Sequence, residues 1–188
     1  FAFINHVTTN PFFVPTQYGA SDAAKMTDTT YTWTGSTKAD VAEMINAFNA
    51  AVSAKADGIA VCVVDKAAFE APIKRAQRRG IPVLAYNADG ARTGAKARSA
   101  YIGQDLYASG YAMGQRIVGL VGSGDVALFI ATPGQLNIQP RIDGAVAAIK
   151  KFGLRIGEME GKGKFTHVDG ENVRYDYDRK SIVGDRDK

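Results

Sequence analysis

Amides, carboxylates and one arginine recur in this chain just after its apolar runs. They are Asn10, Asp65, Asn87, Asp89, Gln104 and Asp105, then Gln135, Asn137, Gln139 and Arg141. Two adjacent aromatics, Phe12 and Phe13, stand in the same kind of position within Asn10-Pro11-Phe12-Phe13. Carboxylates accept from neighbouring hydroxyl groups and amides both accept from and donate to them, while an aromatic face covers the apolar C–H side of a sugar ring. The set therefore predicts a site for a polyhydroxylated ligand. Each member also has a plainer reading. Asp65 is a plausible N-cap, Asn87 and Asp89 are turn formers before Gly90, and Arg141 could pair with Asp143 on the surface. Their common placement carries the prediction, not any single residue.

Catalysis is not expected from these residues. His6 lies in or at the end of the first apolar run and His167 in a distant charged segment, so no paired histidines or His-plus-Cys cluster offers a metal site. No G-x-S-x-G nucleophile elbow occurs, nor a Walker A run, nor a G-x-G-x-x-G following a strand. No catalytic residue, metal or cofactor is predicted. Cys62, the only cysteine of the sequence, sits in Ile59-Ala60-Val61-Cys62-Val63-Val64 and reads as a small buried hydrophobe.

The elements that must position the site alternate. Strands are predicted at 1–7, 31–35, 59–64, 83–87, 100–102 and 126–131, with helices starting near Pro15, Thr37, Lys66, Leu106 and Ile138. Such alternation over residues 1–153 argues for an α/β fold built on a doubly wound parallel sheet, whose ligands bind at the carboxyl ends of the strands. The second helix is the clearest, with Val41, Met44, Ile45, Phe48 and Val52 at helical spacing. Thr37 and Asp40 resemble a capping box at its start. The third follows Asp65 and stops at Gly80.

The loop at Asn10 admits two readings. Pro15 suits the first turn of a helix, which leaves Phe12 and Phe13 in a strand-to-helix loop as a cleft wall. Alternatively Asn10 is the N-cap, the helix begins a turn earlier, and the phenylalanines enter the core.

From Leu154 to Lys188 the character changes to dense charge and glycine with sparse apolar residues. Segments 164–168 and 172–177 alternate enough to form short strands or a hairpin around Asp169-Gly170, and a disordered or artificially joined end is the other reading.

With 188 residues, 46% hydrophobic and 22% charged, the chain is ordinary for a globular protein of one domain or one and a partial second. A net charge of +4 is spread along the sequence, as at Lys74, Arg75, Arg78 and Arg79 on one helix, so nucleic acid is not an expected partner. No stretch is long and apolar enough to span a bilayer, so no stable membrane insertion is expected. The sequence opens on a strand without an initiator methionine, as a processed or trimmed chain would.

Several of these segments together resemble a known family. They are Asn10-Pro11-Phe12-Phe13, Gly58 to Asp65, Ile81 to Asp89, Tyr101-Ile102-Gly103-Gln104-Asp105 with Gly110 and Gly114, and Thr132 to Gly144. They are similar to the periplasmic sugar-binding proteins of ABC transporters, in particular the ribose-binding-protein-like group, whose fold is shared by the ligand-sensing domains of LacI-type repressors. The resemblance covers residues 1–153. It implies a two-lobed clamp of the type I periplasmic-binding-protein fold, closing on a monosaccharide or cyclitol in an interlobe cleft and presenting it to a membrane permease. Its site would comprise Asn10, Phe12, Phe13, Asp65, Asn87, Asp89, Gln104, Asn137 and Arg141, with the two phenylalanines sandwiching the sugar ring. Asn87 stands where many members have Asp, which points to an inositol-like or otherwise less common polyol.

The implied domains are a sugar-binding lobe at 1–105, a crossover helix and first βα unit of an incomplete second lobe at 106–153, and an atypical tail at 154–188. The implied localisation is periplasmic. A truncated chain, a chimera and a short variant that completes its second lobe as a homodimer all fit this pattern. The alternative functions are the sensing core of a LacI-type regulator, which requires an attached helix-turn-helix segment, and a flavodoxin-like enzyme.

Overall fold

A computed structural model of the chain describes residues 1–89, 98–122, 125–130 and 133–152, and the backbone of strands at 155–160, 164–167, 172–176 and 181–184. The chain divides into two compact units, Phe1–Gly103 and Gln104–Lys188.

The first unit contains β1 (Ala2–Asn5), a 3-10 turn (Pro11–Phe13), α1 (Val14–Thr27), β2 (Thr32–Gly35), α2 (Val41–Ser53), β3 (Ile59–Val61), α3 (Lys66–Arg78), β4 (Val83–Tyr86) and β5 (Ala100–Ile102). Its strands pair in the order β2-β1-β3-β4-β5, and every pairing is parallel. The order reverses between β1 and β3. In a sheet of this kind the carboxyl ends beside such a reversal open the crevice where ligands bind.

Period-two alternation sends Ile4, Val61, Val83 and Ala85 into a core shared with Met44 and Phe48 of α2 and Phe69 and Ile73 of α3. Phe3 and Tyr86 point the other way and join Trp33 and Phe13 in an aromatic layer. Gly35, at φ +133°, lies against the backbone of Asn5, where a Cβ would come within 2.8 Å of the amide nitrogen.

Several expected elements are shorter or later than the sequence pattern suggests. β1 ends at Asn5 rather than at residue 7, because the Asn5 side chain turns back to accept from the Val7 N–H at 2.8 Å. β4 ends at Tyr86 because Asn87 is left-handed, with φ +61°. α2 begins at Val41, not near Thr37. Ser36 Oγ accepts from the N–H groups of Lys38 and Asp40, Ala39 is left-handed at φ +63°, and Asp40 caps the helix by accepting from the Glu43 N–H at 2.9 Å. β3 also stops early, at Val61 rather than residue 64.

The second unit holds α4 (Leu106–Val121), β6 (Asp125–Phe129), α5 (Gln139–Lys151), β7 (Arg155–Glu160), β8 (Lys164–His167), β9 (Asn172–Asp176) and β10 (Ser181–Gly184). These strands form a separate sheet, β10-β9-β8-β7-β6, in which β6 and β7 are parallel and the remaining pairings antiparallel. β8 and β9 form the predicted antiparallel pair, with Phe165 opposite Val173; the expected turn at Asp169-Gly170 lies outside the described residues. The end of the expected sixth strand, Ala131, also lies outside them.

Helices α4 and α5 meet along a seam of glycines. A Cβ on Gly110 would overlap the carbonyl of Arg141, one on Gly144 would overlap that of Tyr107, and one on Gly114 would stand 2.6 Å from the Ala145 oxygen. Among the described residues no helix is long and apolar enough to cross a membrane.

Candidate functional site

The carboxyl ends of β1 and β2 carry buried polar groups, and those of β3 and β4 place Cys62 and Asn87 beside them. Asn5, His6 and Ser36 are buried, so each must find partners. The Asn5 carboxamide donates to the Tyr86 hydroxyl at 2.9 Å while its oxygen holds the Val7 N–H. His6 Nδ1 lies 3.2 Å from the Cys62 sulfur, and the Cys62 thiol donates to Asn87 Oδ1 at 3.3 Å.

This trio looks like a nucleophile with its base, yet its electrostatics are wrong for that. Burial pushes the Cys62 thiol up to about 12 and pulls His6 below its ordinary 6.5. A reactive cysteine needs the opposite shift. Cys62 is thus a neutral hydrogen-bonding group, not merely the small hydrophobe its sequence neighbours suggested.

The Asn10 loop combines parts of both sequence readings. Asn10 Oδ1 accepts from the Phe12 N–H at 2.9 Å and caps the 3-10 turn that leads into α1. Phe13 is 2% exposed and packs on His6, Trp33 and Tyr86, with ring centroids 5.3, 6.1 and 6.4 Å away. Phe12 is 65% exposed and stands edge-on to Phe13 at 5.0 Å. One ring is structural and props the other in solvent.

Asn87 is clamped by its own backbone. Its N–H donates to the Ile102 carbonyl at 3.1 Å, and its carbonyl accepts from the Tyr101 hydroxyl at 3.0 Å. Asp89 binds Arg98 through both carboxylate oxygens, with Nε at 2.7 Å from Oδ1, and the guanidinium lies 5.7 Å from the Tyr101 ring centroid. The Asp89 hydrogen bonds raise the Arg98 pKa further. Sequence reasoning did not select Arg98, since nothing local marks it as the partner of Asp89. Asp65 takes up its plainer role, capping α3 by accepting from the Ala68 N–H at 3.0 Å.

In the second unit, Gln104, Asn137 and Arg141 come together. The Arg141 guanidinium donates to Gln104 Oε1 at 3.1 Å and to the Asn137 carbonyl at 3.2 Å. Asp143, the surface partner considered for Arg141, instead accepts from Gln139 Nε2 at 2.8 Å. The Gly110 contact with the Arg141 backbone fixes where this arginine leaves α5. Among the described residues no group of three or more His, Cys, Asp or Glu could hold a metal ion.

Sequence comparison matches a family described as the periplasmic binding protein domain over residues 1–180. The match thus runs past residue 153, where the resemblance read from motifs stopped, and takes in most of the charged tail. The chain is 54% identical over 156 residues to the xylose/arabinose-binding protein XylF of Sulfolobus acidocaldarius, covering 79% of this chain and 39% of that protein. Among solved structures, an ABC transporter solute-binding protein from Burkholderia graminis, in complex with D-arabinose, superposes with a TM-score of 0.77 at 30% identity, covering 85% of this chain and 54% of that one. A carbohydrate transporter from Acidothermus cellulolyticus, in complex with myo-inositol, gives a TM-score of 0.71 at 31% identity, covering 79% and 51%. The chain therefore spans two fifths to little more than half of the length of these relatives.

Proposed function

Because the chain belongs to the periplasmic binding protein family, we propose that it is the sugar-recognising part of an extracytoplasmic solute-binding protein. It binds a pentose or cyclitol without chemical change and serves an ABC transporter permease. The observation that carries this reading is Phe12. A 65% exposed phenylalanine, braced edge-on by a buried neighbour, costs solubility and contributes nothing to the core, so its use is to cover an apolar ligand face. Asn87 and the Asp89–Arg98 pair in the same unit supply groups for hydroxyls. In the second unit, Gln104, Asn137 and Arg141 form a further polar cluster of the same chemistry. The ligand class follows the sugars named for the relatives, a pentose in one complex and myo-inositol in another.

Titration calorimetry of the full-length protein with D-xylose, L-arabinose, D-arabinose and myo-inositol tests the proposal. At least one is expected to bind, and Phe12→Ala to weaken it about tenfold or more through the loss of stacking area. Absence of binding by all of them to folded protein would rule out the proposed ligand class.

A further inference from the structure

We propose that Cys62 is a positioning residue for ligand recognition: its thiol holds the Asn87 carboxamide with Oδ1 turned inward, so that position 87 offers the ligand an N–H donor. The inference rests on the reading that Asn87 touches the ligand.

Three observations converge on it. The Asn87 backbone is fixed on both sides, through the Ile102 carbonyl and the Tyr101 hydroxyl, and its left-handed φ of +61° leaves little freedom except rotation of the carboxamide. The sulfur of Cys62 lies 3.3 Å from Asn87 Oδ1 and is fully buried, so it can reach a ligand only through Asn87. Asn87 Oδ1 is the acceptor that the thiol proton reaches. With that proton on Asn87 Oδ1, His6 carries its own proton on Nδ1 and donates to the sulfur across 3.2 Å. Burial keeps the thiol protonated at every physiological pH, so the bond to Asn87 does not titrate away.

The consequence is a polarity. A freely rotating carboxamide offers donor or acceptor equally, whereas one anchored through its oxygen presents the amide nitrogen. Such a residue favours a sugar oxygen acting as acceptor at that point.

The test is a double-mutant cycle in the full-length protein, titrated with the same four sugars. Cys62→Ser keeps a donor and is expected to bind within about twofold of wild type, while Cys62→Ala binds about fivefold more weakly. In an Asn87→Ala background, Cys62→Ala is expected to have no further effect. Wild-type affinity in Cys62→Ala, or an equal loss with and without Asn87, overturns the inference and marks Cys62 as packing only. Wild-type affinity in Asn87→Ala removes the contact and the inference together, yet leaves sugar binding standing. If wild type binds no sugar, the functional proposal itself fails.

Discussion

Phe12 and Phe13 are neighbours with opposite duties, and substitution should separate them. Phe13→Ala empties a site enclosed by His6, Trp33 and Tyr86, and is expected to cost about 3–5 kcal/mol in urea unfolding. Phe12→Ala removes an exposed ring and is expected to cost less than about 1 kcal/mol while abolishing most sugar affinity. His6 gives a second prediction at this scale. Its folded pKa lies below the unfolded value of 6.5, so the unfolded chain binds more protons as the pH falls through that window. Its contribution is therefore fully present above about pH 6.5 and is lost as the pH drops below 6.5 toward the folded value. Urea midpoints measured from pH 7.5 to 5 should decline, and His6→Gln should flatten that part of the slope. Asn10 and Phe12 were legible from their local pattern. The His6–Cys62–Asn87 relay was not, because its bonds join residues 56 and 25 positions apart, and only the sheet order makes them neighbours.

At the level of elements, the seam between α4 and α5 is the most demanding piece of packing. Gly144→Ala would drive a methyl group into the Tyr107 carbonyl and to 2.7 Å from the Tyr111 nitrogen, forcing the helices apart. A loss of at least about 1–3 kcal/mol is expected in thermal or urea unfolding, with weakened sugar binding where the shift disturbs Arg141 and Gln104. Asp40→Ala removes the α2 cap and should cost about 1 kcal/mol by the same measurement. The helices α2 and α3 were readable because their apolar spacing and caps are local signals. Thr37 misled because a serine one residue earlier organises the turn: Ser36 Oγ accepts from two backbone N–H groups and donates to Glu43 at 2.7 Å. β7 and β10 went unread because neither alternates: Ile156 and Met159 are three apart among charges, and Ile182 and Val183 stand side by side in a strand of four.

For the molecule as a whole, the α/β alternation of the first unit announced a parallel sheet, and the order β2-β1-β3-β4-β5 realises it. The mainly antiparallel second sheet was read only in part: its β8–β9 pair was expected, while the flanking pairings of β7 and β10 had no alternation to announce them. The family match runs through residue 180 and takes in most of the charged tail. A ligand that binds only the folded state stabilises it by mass action. The bound sugar, supplied at a hundredfold its Kd, is expected to raise the unfolding free energy by about 2.7 kcal/mol, and a calorimetric scan with and without sugar checks this.

The isolation of Cys62 has a practical use. As the sequence's only cysteine, fully enclosed and held as a thiol, it is shielded from alkylating reagents while the fold is intact. A cysteine introduced at an exposed position such as Tyr18 would then accept a fluorophore selectively. The native thiol would react only on opening, which makes its modification rate an internal clock for unfolding.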